Sequence, residues 1–112
     1  MKKLEMIIRH SCLEAVKMAL LELEIHGMTI SEVKGFGRQG GHKEIYRGRE
    51  FTVDFSPKLK VEIALEEALV EPAIKAVCDT AATGAVGDGK IFVIPLENVV
   101  RIRTREQGEE AL

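Results

Sequence analysis

The spacing of apolar residues changes period once within the first thirty positions. In "KLEMIIRH", Leu4, Met6 and Ile8 fall on alternate positions, as in a strand with one buried face. From residue 13 the spacing widens, and Leu13, Val16, Leu20 and Leu23 recur at helical intervals. Ser11 and Glu14 read as an S-x-x-E capping box that starts this helix, and Gly27 as the residue that stops it. "MTISEVKGF" follows as a second strand and completes one β-α-β unit.

The pattern then repeats. "KLKVEIAL" turns Leu59, Val61 and Ile63 to one face and Lys58, Lys60 and Glu62 to the other. Val70, Ile74, Val77 and Ala81 predict a second helix over 66–82, which accommodates Pro72 only near its first turn, where backbone N–H groups have no helical partner. "TGAVGDG" breaks that helix and "KIFVIPL" supplies a fourth strand. A short turn leads to "VVRIRT" and a charged tail, about 104–112, expected to fray. Two tandem β-α-β units predict an α+β fold, a ferredoxin-like double βαβ sandwich in a single domain, 1–112. A long flexible loop, about 37–55, joins strands 2 and 3. The sheet keeps one face free of helices. Ile7, Ile30, Phe92 and Ile94 are expected near it, so association through that face is expected too.

Composition narrows the function. The 112 residues carry a net charge of −2, one Tyr and four Phe, which argues against an RNA-binding sheet of the same fold. Between Lys34 and Glu50, however, five Lys and Arg face two Glu, a local excess suited to an anionic ligand or an acidic partner. Cys12 and Cys78 have no metal-ligand spacing and read as core thiols. No apolar run reaches membrane-spanning length and the opening residues lack a signal or transit pattern, so a cytoplasmic protein is expected.

Three motifs bear on chemistry. "GFGRQG", residues 35–40, satisfies G-x-G-x-x-G after a strand, but no helical pattern follows to hold a pyrophosphate, which excludes a dinucleotide fold. "GAVGDGK", residues 84–90, matches G-x-x-x-x-G-K, yet Ile91 stands where a P-loop needs Ser or Thr, and the order runs helix, loop, strand. Glycines that bare backbone N–H groups and a terminal lysine still suit a phosphate, or simply a tight turn. On a strand, Arg101 and Arg103 of "RIRT" share a face, and two adjacent guanidinium groups call for an anion between them.

"EVKGFGRQ-GH", "Y-R-G", "TGxxGDGKIFV" and "RIRT", at these distances over essentially the whole chain, resemble the PII-type nitrogen-regulatory signal proteins. The resemblance implies a homotrimer whose intersubunit clefts bind ATP or ADP, with Mg²⁺ and 2-oxoglutarate joining ATP. Its flexible loop would control targets such as an ammonium transporter, with recruitment to the membrane by that partner. By resemblance, Gly87, Asp88, Gly89 and Lys90 form the phosphate loop, Arg38 also reaches the phosphates, and Arg101 and Arg103 come from a neighbouring subunit. Thr29, Gly35 and Gly37 lie near the nucleotide. Gln39 binds Mg²⁺ and, with Gly41 and Lys58, 2-oxoglutarate. Tyr46, Arg47, Arg49 and Phe51 belong to the partner-binding loop.

The loop also departs from the family. Phe51 has no hydroxyl where many members carry a uridylylated tyrosine, Arg49 replaces a phosphorylated serine, and Gly40 stands where lysine is common beside the oxoacid. The implied output is regulated binding and not enzymatic chemistry. The alternatives are a weak ATP hydrolase, a specialised paralogue sensing adenylate charge or another small anion, or a trimeric metal-tolerance relative of the same fold. No nucleophile–His pair or paired carboxylates stand out to activate water.

Overall fold

The computed structural model describes residues 1–36, 42–46, 49–53 and 55–112, with side chains described for 1–36 and 55–112. In chain order, β1 is Lys2–Ile8, α1 Leu13–Glu22, β2 Thr29–Gly35, β3 His42–Tyr46, β4 Arg49–Val53, β5 Ser56–Leu65, α2 Val70–Ala81 and β6 Lys90–Pro95. β2, β5, β1 and β6 lie side by side in that order, each pair antiparallel. This is the expected ferredoxin-like sandwich: each β-α-β unit leaves a gap that a strand of the other unit fills.

Alternation builds the core. Leu4, Met6 and Ile8 on β1 pair across the sheet with Ile63, Val61 and Leu59 on β5, and all six are buried under the helices. Val16 and Leu20 of α1 and Val70, Ala73, Val77 and Ala81 of α2 close the layer. Each large apolar side chain removed from water here contributes about 1.5–3 kcal/mol before entropy is charged. The fully buried residue of the second helix's first turns is Ala73, with Ile74 only partly covered. Pro72 does sit in that first turn. Cys12 packs partly against the core, whereas Cys78 is exposed on α2, so the core-thiol expectation fails there; both are free.

Both expected ends of α1 are corrected. A 3-10 turn, His10–Cys12, precedes the helix, so Ser11 already has helical geometry and no side-chain cap forms. The helix ends at Glu22 and is terminated by a left-handed Glu24, not by Gly27. Glu24 adopts φ 61°, its N–H bonds Leu21 O at 2.9 Å, and the Ile25 N–H bonds Leu20 O at 3.1 Å. These two bonds form a Schellman end, with buried Ile25 and Leu20 making its apolar contact.

The helix-free face carries Ile7, Phe92 and Ile94, as expected, but not Ile30. Ile30 pairs with core residue Val61, which places it on the helix side, and Val33 pairs with Lys58 on the free face. Lys3 bridges Glu62 at 3.0 Å and Glu5 at 3.3 Å, two carboxylates from directly opposed positions.

Two further expectations change. Residues 102–104 form a turn and not a strand, closed by the Arg105 N–H bonding Arg101 O at 2.7 Å. The tail also folds back: Val100 bridges Gln107, Gly108 N–H bonds Val99 O at 3.0 Å, and Gly108–Ala111 forms a 3-10 turn. Between β2 and β5, where only a loop was expected, β3 and β4 pair antiparallel as a separate ribbon from His42↔Val53 to Tyr46↔Arg49.

Candidate functional site

The loop joining α2 to β6 is organised by Asp88. Its carboxylate accepts the Thr83 hydroxyl, the Thr83 N–H at 2.7 Å and the Gly84 N–H at 2.9 Å. These bonds, chiefly the two from Thr83, hold the Asp88 pKa down to about 2. Next door the backbone comes too close to β1 for any side chain. A Cβ on Gly89, where φ is 103°, would stand 1.7 Å from Ile7 O. Only glycine fits there.

Two cations hold the loop from the other side. Arg9, immediately after β1, donates through Nη2 to Val86 O at 3.0 Å and reaches Asp88 Oδ1 at 3.4 Å. Lys58, buried on β5, donates through Nζ to Gly87 O at 2.8 Å. A trans peptide points its C=O and N–H in opposite directions. Turning Val86 O toward Arg9 therefore turns the Gly87 N–H away from it, and Lys58 does the same for the Asp88 N–H. Among the described residues, neither amide donates to a protein acceptor. Successive free N–H groups of this kind can take an anion. Burial, then the charge of Arg9, pushes the Lys58 pKa below its ordinary value.

The loop forms one wall of a cleft of about 920 Å³, whose other walls come from the ends of β1 and β2 and the starts of β5 and β6. Lys34, Lys58, Lys60 and Lys90 line it, and Asp88, its one lining carboxylate among the described residues, is already saturated with donors. Fixed donors and cations in excess of free carboxylates, among the described residues, suit an anionic ligand. At the base of the β3–β4 ribbon, Phe36 and Phe55 stack edge to face, ring centroids 6.1 Å apart.

Of the residues singled out by sequence, Gly35, Lys58, Gly87, Asp88, Gly89 and Lys90 come together in this cleft. Thr29 does not: it opens β2 opposite Glu62, at the far end of the strand from Gly35. Arg101 and Arg103 do not line it either. Arg101 is engaged by Glu106 Oε1 at 3.0 Å and Leu112 O at 3.2 Å, while Arg103 is exposed. Gly37, Arg38, Gln39, Gly40, Gly41 and Arg47 lie outside the described residues, as do the side chains of Tyr46, Arg49 and Phe51.

The family model for nitrogen regulatory protein P-II matches residues 1–106. The chain belongs to that family. Nitrogen regulatory proteins P-II of Azospirillum brasilense, Rhodospirillum rubrum and Haemophilus influenzae are 57%, 54% and 51% identical to it over 112 residues, covering all of both chains in each case.

Within this P-II chain, sequence reasoning overlooked four contributors to the cleft and its support. Lys60 entered only as a position of strand alternation and Lys34 only at the edge of the basic excess, and neither was named as a site residue, yet both line it. Alternation did place Lys60 on the face of Lys58, which was the available signal. Thr83 and Arg9 act through Asp88 and Val86, contacts made across 5 and 77 residues respectively. No local pattern reports the second.

Proposed function

We propose that this P-II chain is a ligand-gated regulator and not an enzyme. Its inputs are ATP or ADP and, with Mg-ATP, 2-oxoglutarate; its output is docking of the β3–β4 ribbon on targets in nitrogen metabolism or ammonium transport. The observation that carries the reading is the loop of residues 87–90, with two amides that have no protein acceptor among the described residues, beside four cleft lysines. Phosphate oxygens match those donors. Lys90 supplies a mobile charge at the loop's end. Lys58, whose ammonium has three N–H donors and spends one on Gly87 O, would keep that bond and add the distal carboxylate of 2-oxoglutarate, with Gln39 and Gly41 completing that subsite.

Among the described residues, no three His, Cys, Asp or Glu side chains are grouped to hold a metal. This suits Mg²⁺ as an ion carried largely by ligand oxygens, with Gln39 as a protein contact. Bound in that way, Mg²⁺ would link nucleotide to oxoacid and couple their affinities.

Assembly as a homotrimer would complete the cleft. Thr29, Arg101 and Arg103 lie away from it within one chain, and neighbouring copies would supply them. Ile102, between the two arginines, is 94% exposed, and Phe92 is exposed on the helix-free face, as suits surfaces that meet another copy.

Isothermal titration with ATP and ADP, with and without Mg²⁺ and 2-oxoglutarate, tests this reading. The expected result is nucleotide binding alone and 2-oxoglutarate binding only alongside Mg-ATP. Nucleotide binding without any 2-oxoglutarate binding would instead make the chain an adenylate sensor, and turnover at about 1 s⁻¹ or faster would make it an enzyme.

A further inference from the structure

We infer that Arg9 is a positioning residue for phosphate binding, acting through the Val86 carbonyl to hold the Gly87 amide ready; this rests on the phosphate reading above. Arg9 meets the 84–89 loop at two points from a place 77 residues earlier in the chain, just past the strand whose Ile7 carbonyl abuts Gly89. The loop is thus fixed to one short stretch of β1 by a close backbone approach and by a guanidinium.

The plain alternative is that Arg9 only neutralises Asp88. Three observations weigh against it. The Arg9–Asp88 contact is long, 3.4 Å, whereas the bond to Val86 O is 3.0 Å. Asp88 already accepts three hydrogen bonds from Thr83 and Gly84, so it does not depend on Arg9. Arg9 also keeps its Nε buried with no partner among the described residues, a cost that a purely stabilising ion pair would not justify. What Arg9 alone provides is the orientation of the Val86–Gly87 peptide plane. Lys58 orients the next plane through Gly87 O, so two cations, one just past β1 and one on β5, set two consecutive amides.

The test pairs ATP titration with amide NMR of the ligand-free protein, on Arg9→Met, Arg9→Lys, Thr83→Val and the double variant Arg9→Met/Thr83→Val. Arg9→Met should weaken ATP binding about tenfold, the value of one charge-assisted bond, and Arg9→Lys should recover most of that loss. The double variant should lose less than the product of its two single losses, because both changes release the same loop. Without ligand, the Gly87 and Asp88 amide resonances should move in Arg9→Met and stay near wild type in Arg9→Lys. Strict multiplicativity, or Arg9→Lys binding as poorly as Arg9→Met, overturns the inference in favour of direct contact with the ligand. ATP binding by wild type with resonances unmoved in Arg9→Met overturns the role of Arg9 alone. A wild-type protein that binds no ATP overturns the phosphate reading, and this role with it.

Discussion

Replacing Gly89 with alanine adds one methyl group where the backbone leaves no space. The new Cβ would lie 1.7 Å from Ile7 O, whereas ordinary contact begins near 3.4 Å. Loop and strand must therefore separate by roughly half that ordinary distance, and neither can yield by turning a side chain. Ile7 sits in the β1–β6 ladder, opposite Lys90, so the shift strains the sheet edge. The φ of 103° adds a penalty for any residue with a Cβ. Together these effects cost about 2–4 kcal/mol, within the stability of an ordinary domain, so the variant still folds. Its melting temperature should fall by about 10 °C. ATP affinity should fall about 100-fold, because the displaced loop loses about two charge-assisted bonds to phosphate. Thermal melting by circular dichroism and ATP calorimetry read both effects. Gly27→Ala is the control, since its Cβ would have nothing within 4 Å, and it should change neither. A Gly89→Ala protein that melts and binds ATP like wild type would refute the reasoning.

Glu24→Gly should stabilise the chain by about 0.5–1 kcal/mol in urea unfolding, because glycine relieves the left-handed Schellman position at φ 61°; destabilisation would contradict that helix end. Leu20→Ala, at a fully buried position shared by α1 and its C-terminal motif, should cost about 2–5 kcal/mol in the same assay; a loss near zero would mean the core is misassigned. The folded-state pKa of Asp88 is depressed, so its contribution is fully present above the ordinary carboxylate value of 3.8 and is lost as pH falls through about 2. The stability difference between wild type and Asp88→Asn should therefore shrink across that window. A gap that stays constant down to pH 2 would remove Asp88 as the organiser of the loop.

The architecture was legible because two periods repeat cleanly. Alternation marked Leu4, Met6 and Ile8 and then Leu59, Val61 and Ile63, and the structure buries all six. What failed was local chemistry decided by geometry. A capping box needs its serine in an extended N-cap, but a 3-10 turn had already begun at His10. Gly27 was the obvious helix stop, yet burial of Ile25 and Leu20 goes with a Schellman end in which Glu24 takes the left-handed position. Ile30 was assigned to the wrong face because a hydrophobic side chain in an edge strand does not reveal its register; pairing with Val61 does. "RIRT" alternates like a strand, but hydrogen bonds between Arg101 and the following tail close a turn.

At the site, the glycines and lysines of the 84–90 loop could be read directly, because their types suit an anion. Arg9 could not, since its partner Val86 is a backbone carbonyl far along the chain. Thr83 followed from nothing nearer than the carboxylate five residues on.

The most direct test of the account is an ATP titration of wild type beside Lys90→Gln, which keeps the size and polarity of the exposed cleft side chain and removes its charge. The account predicts saturable ATP binding by wild type and affinity lower by about tenfold or more in the variant. Equal affinities, or no ATP binding by wild type, would contradict it.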